Sequence, residues 1–113
     1  MRTIWKFPLE FAEMQSGEDG DYLEIAMPGN SKIISIALQY ETPCLWALVR
    51  SDNPRCRRRI RVIGTGHDIK GVLGEPIGSV VLAQGSLVLH FFDLGEFTTL
   101  EDAGGEKTRW RHA

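Results

Sequence analysis

The sequence predicts an all-β protein: a small antiparallel β-sandwich or partly open barrel of six to eight short strands. Apolar residues recur with a period of two almost throughout, the spacing of strands that bury one face. Turn signals built from Gly, Pro, Asn and Asp separate the alternating runs, and no segment reads as a helix. The 113 residues suit one domain with a real core, not two.

The first run places Trp5, Phe7, Leu9 and Phe11 in alternation with Lys6 and Glu10. Pro8 removes a ladder donor, so this is an edge strand or a broken one. Glu13 to Asp21 holds acids, serine and glycine and reads as a mobile loop. Tyr22 to Met27 is a short strand with Leu23, Ile25 and Met27 on one face, and Pro28-Gly29-Asn30 turns the chain, glycine supplying the positive φ. In Lys32 to Glu41, Ile34, Ile36, Leu38 and Tyr40 are expected on one face, Ser35 and Gln39 on the other. Leu45 to Arg50 is apolar on both faces, the mark of a central strand.

After the Ser51-Asp52-Asn53-Pro54 turn, Arg57 to Ile63 sets Arg57, Arg59, Arg61 and Ile63 against Arg58, Ile60 and Val62. Gly64 to Gly78 holds five glycines and reads as one long loop. Ser79 to Ala83 and Leu87 to Leu94 form a hairpin across Gln84-Gly85-Ser86. The composition changes at Gly95. The expected division is therefore a single β domain over 1–94 and a polar tail over 95–113, partly ordered at most.

The net charge of -2 excludes a global pull toward nucleic acid, and no sequence-specific nucleic-acid motif occurs. No apolar run has the length of a membrane-spanning helix, so no membrane partner is expected. Cys44 and Cys56 read as reduced thiols of a cytoplasmic protein. No metal-ligand spacing, cofactor fingerprint or catalytic motif appears, so no metal, cofactor or catalytic residue is expected.

The charges are nevertheless segregated. Glu10 to Glu24 carries six acids and no base, whereas Arg50 to Arg61 carries six arginines and one acid. Guanidinium groups grip carboxylate or phosphate at two points. Arg57, Arg59 and Arg61 project to one side about 7 Å apart. The Gly64-Thr65-Gly66-His67 loop continues directly from them, with glycines that let backbone donors approach an anion. The candidate binding residues are Arg57, Arg59, Arg61, Thr65 and His67, and charge reversal in the stripe is expected to leave the fold intact. Three readings of the stripe stand open: a binding site, an oligomer interface, or neutralisation by the acidic segment if the two lie together.

Ile4-Trp5-Lys6-Phe7-Pro8-Leu9, Met27-Pro28-Gly29 with Lys32-Ile33-Ile34-Ser35, Pro43-Cys44-Leu45-Trp46-Ala47-Leu48-Val49 and Ile63-Gly64-Thr65-Gly66-His67 carry a resemblance. In this order they resemble a family of small, uncharacterised proteins encoded by bacteriophages, prophages and some bacteria. The resemblance implies a phage setting and a compact domain, and it carries over no catalytic residue. The expected function is a non-enzymatic binding protein that inhibits a host anti-phage defence system in the cytoplasm of an infected or lysogenic bacterium. Its partner would be a host protein with an acidic surface or a phosphorylated small molecule. The alternatives are an assembly protein forming homo-oligomers and a small hydrolase using a cysteine and a histidine.

Overall fold

A computed structural model describes residues 1–99 and 108–111. Among the described residues nine strands follow in order: β1 (Arg2–Pro8), β2 (Gln15–Gly17), β3 (Gly20–Pro28), β4 (Lys32–Gln39), β5 (Thr42–Arg50), β6 (Arg55–Gly64), β7 (Glu75–Leu82), β8 (Leu87–Thr99) and β9 (Thr108–Arg111). A single 3-10 turn lies at Phe11–Glu13, and Ala83–Gly85 joins β7 to β8 with positive φ at all three residues. All pairing is antiparallel. The smaller sheet has the order β1-β5-β4 and the larger β2-β3-β6-β8-β7, with β9 paired to the far end of β8.

The inner faces meet over one core. Leu9, Ile36 and Leu45 belong to the smaller sheet's side, and Leu23, Ile60, Val62, Val80 and Phe91 to the larger sheet. Alternation produces this burial directly: Leu45, Ala47 and Val49 of β5 all point inward and are buried. Truncating Leu45 or Phe91 to Ala costs about 3–5 kcal/mol. β4 and β7 approach each other at one side, where a Cβ on Gly78 would lie 3.0 Å from Ile36 Cγ2. No ladder joins these two strands, so the architecture is an open sandwich and not a closed barrel.

The expected strands are present, β5 is the central strand of its sheet, and β1 is an edge strand that ends at Pro8. Several local expectations are corrected. Within the expected loop of 13–21, β2 (Gln15–Gly17) pairs with the start of β3 in a tight hairpin. The 64–78 loop is shorter, because β7 begins at Glu75 and takes Pro76 on a sheet edge, where a missing donor is harmless. A bulge between Ile33 and Ser35 resets the phase of β4. Ile33 therefore packs toward the core while Ile34 is exposed, and Tyr40 lies in a turn with Glu41 at positive φ. In the β3–β4 turn the positive φ falls on Asn30 and not on Gly29.

Gly95 does not end β8. It is the left-handed residue (φ 94°) of a bulge in β8, and Glu96 and Phe97 beyond it are buried. The rest of the expected tail, apart from the backbone of 98–99 and 108–111, lies outside the described residues. Among the described residues, no helix is long and apolar enough to cross a membrane.

Candidate ligand-binding cavity on the larger sheet

β6 lies between β3 and β8, and its register fixes what each arginine meets. Tyr22, Glu24 and Ala26 of β3 stand opposite Arg61, Arg59 and Arg57. Leu23 faces the core, so its neighbours Tyr22 and Glu24 face outward, as do the odd-numbered arginines.

Arg59 Nη2 donates to Glu24 Oε1 at 2.6 Å, and Arg57 Nη1 lies 3.9 Å from Glu24 Oε2. The Arg59 guanidinium sits 4.0 Å from the Tyr22 ring centroid and 5.5 Å from that of Phe97. Cation–π attraction adds about 0.5–2 kcal/mol per good contact. The Tyr22 hydroxyl donates in turn to Gln15 Oε1 of β2 at 3.0 Å. Arg59 is thus held by rings and a carboxylate and keeps a quarter of its surface exposed, at 25%.

Arg61 has a different task. It is only 3% exposed, and its guanidinium donates to two carbonyls, Val72 O at 2.6 Å and Asp19 O. These belong to separate loops, the β2–β3 turn and the β6–β7 loop. A Cβ on Gly71 (φ 70°) would overlap the Asp19 carboxylate, so glycine lets the loops touch. Beneath them opens a cavity of about 290 Å³, lined by Arg59, Arg61, Tyr22, Leu94, Val72 and the acidic turn Gly17 to Asp21.

Arg58 points to the opposite face of β6. It is 2% exposed and forms a two-point pair with Asp93, Nε to Oδ1 at 2.9 Å and Nη2 to Oδ2 at 2.6 Å. Its Nη1 donates to Ser31 O at 2.7 Å, and the Gly95 amide donates to Asp93 Oδ1 at 2.8 Å. A buried arginine with its carboxylate and carbonyl partners satisfied fastens the β8 bulge to the β3–β4 turn. Glu96 Oε2 accepts from the Asn30 amide at 2.9 Å and ties the same turn.

The five sequence-predicted residues therefore divide. Arg57, Arg59 and Arg61 share one face, but Arg61 is a buried fastener and not a contact surface. The expectation that charge reversal there spares the fold is corrected accordingly. Thr65 is on the same face farther along, its Oγ1 2.6 Å from His90 Nε2, while His90 Nδ1 lies 2.6 Å from Ser79 Oγ. His67 leaves this face: its ring packs on Gly64, where a Cβ would meet Cε1 at 3.0 Å.

A family model with the description "Domain of unknown function (DUF7352)" matches residues 1–100, which span β1 to β8. The chain belongs to this family. No curated protein and no solved structure matches it. Both halves of the DUF7352 sandwich, with the cavity and the Arg58–Asp93 pair, fall inside the matched span.

Residues of the DUF7352 cavity that sequence reading missed are Tyr22, Asp19, Val72 and Leu94. Tyr22 was accessible to it, since it alternates with Leu23. Asp19 and Val72 participate through backbone carbonyls, which no side-chain pattern announces. Cys44 and Cys56 form no disulfide; Cys44 is buried on the smaller sheet, its Sγ–H donating to Thr42 O at 3.5 Å. Among the described residues, no group of three His, Cys, Asp or Glu is placed to hold a metal ion.

Proposed function

We propose that this protein is a non-enzymatic binding protein of phage type, an inhibitor of a host defence system in the cytoplasm of an infected or lysogenic bacterium. It engages an anionic group, on an acidic protein surface or a phosphorylated small molecule, through Arg59, which lines the cavity, and Arg57, which shares Glu24 with it. One observation carries this reading. The Arg59 guanidinium is clamped between two rings beside a cavity of about 290 Å³, with Arg57 next to it and 61% exposed. A guanidinium held in place loses less freedom on gripping an oxyanion than a mobile one. Small-molecule sites are concave and combine apolar walls with a few fixed polar groups, as Tyr22, Leu94 and Val72 do around Arg59.

Native mass spectrometry of the chain purified from infected bacterial cells tests it. An added ligand or protein mass is expected on the wild-type chain, lost in Arg57→Glu combined with Arg59→Gln, with the circular dichroism spectrum retained. Retention of the added mass by the folded double variant contradicts the reading.

A further inference from the structure

The outward positions of the smaller sheet form a surface of a different kind. Ile4, Leu48 and Lys32 make one row across β1, β5 and β4, and Lys6, Trp46 and Ser35 make the next. The bulge adds Ile34, which is exposed. No aspartate or glutamate occurs in any of the three strands. Arg2 stands directly opposite Arg50, and both are exposed. Like charges opposed across a ladder repel. Of the acids in the turns that flank β5, Asp52 is engaged by the N-terminal amine at 3.0 Å and Glu41 lies at the opposite end of the strand from Arg50. This face is apolar in the middle and cationic at its margin.

The matching surface is on the same molecule, on the other side of the sandwich. Arg61 binds the Asp19 and Val72 carbonyls and so fastens the β2–β3 turn to the β6–β7 loop as one knob. The knob exposes Glu18, Asp19, Asp21 and Asp68 beside Ile69 and Val72, with Lys70 as its one base. It is acidic and apolar where the smaller sheet is cationic and apolar.

We infer that the outer face of the smaller sheet is a docking surface for a second copy of this chain, which presents its acidic two-loop knob. The contact joins unlike surfaces, so it is heterologous, and each docked copy leaves one knob and one face open. Association therefore proceeds past a dimer, to a ring or a chain. Charge steers it, so salt screens it. The inference stands apart from the anion-binding reading, since neither Arg57 nor Arg59 takes part.

Sedimentation velocity of the full chain tests it in about 50 mM and about 500 mM salt, straddling strong and weak screening. The wild type is expected to form species larger than a dimer in low salt and to dissociate in high salt. Lys6→Glu with Lys32→Glu reverses the face, and Glu18→Lys with Asp68→Lys reverses the knob. Each double variant alone should associate at least tenfold more weakly. An equimolar mixture should associate again, because each variant then meets an opposite charge on the other. Where a double variant loses its circular dichroism signature, Lys32→Gln and Glu18→Gln replace it, each expected to weaken association about threefold. A wild type that stays monomeric in low salt overturns the inference. So does a folded face variant that associates like the wild type, or a mixture that does not recover. Flotation of a monomeric wild type with phosphatidylserine vesicles also overturns it and assigns the face to a membrane.

Discussion

The two outer faces of the sandwich use their cations in opposite ways. On the larger sheet, Arg59 meets Glu24, Tyr22 and Phe97, and Arg61 meets two carbonyls. On the smaller sheet, Lys32 stands beside Leu48, Lys6 donates to the neutral amide of Gln39 (Oε1, 2.7 Å), and Arg2 stands opposite Arg50. The strands differ little in how they alternate. They differ in what the neighbouring strands supply: the carboxylate of Glu24 in one case, neutral or like-charged residues in the other. A cation's role in a sheet is set by its cross-strand neighbours more than by its own side chain.

Substitutions can break this comparison. The largest effect is expected inside β6, where Arg58→Ala removes both guanidinium donors from the Asp93 carboxylate and leaves it the Gly95 amide. A stability loss of about 3–5 kcal/mol in urea denaturation is expected, the cost of breaking a buried pair from one side. Arg61→Gln removes two charge-assisted hydrogen bonds and unfastens the knob. The expected loss is about 2 kcal/mol, together with faster proteolytic cutting between residues 65 and 74. Glu24→Gln weakens the hold on Arg59 and Arg57, and about 1 kcal/mol of thermal stability should go with it. Arg2→Gln relieves the repulsion from Arg50. Stability should rise by a few tenths of a kcal/mol in low salt, and the gain should vanish in high salt.

Much of the fold was legible in the sequence because one-sided burial leaves a period of two. Leu23-Ile25-Met27 and Leu45-Ala47-Val49 declare their faces without any knowledge of partners. The misreadings have specific causes. Ile34 looked like a core residue because a bulge is invisible to alternation. Gly95 looked like an end because a bulge glycine and a terminal glycine are written alike. Gln15 to Gly17 has no apolar pattern at all and is a strand only because β3 pairs with it.

The site was legible in outline only. The arginine stripe declared which side chains share a face, and the acidic segment declared a possible counterpart. That Glu24 would lie opposite Arg59, with Asp93 thirty-five residues from Arg58, depends on strand order, which short-range pattern does not encode. The division of Arg61 from Arg59 was hidden for a further reason: Arg61 is bound by backbone carbonyls, which every residue carries.

The claim that one face has committed its arginines to the fold and the other has not is tested most directly by one paired measurement. Urea denaturation of Arg61→Gln and Arg2→Gln, in dilute protein and low salt, should give shifts of opposite sign. Arg61→Gln is expected to lower the midpoint and Arg2→Gln to raise it slightly. Midpoints that move in the same direction would contradict the account.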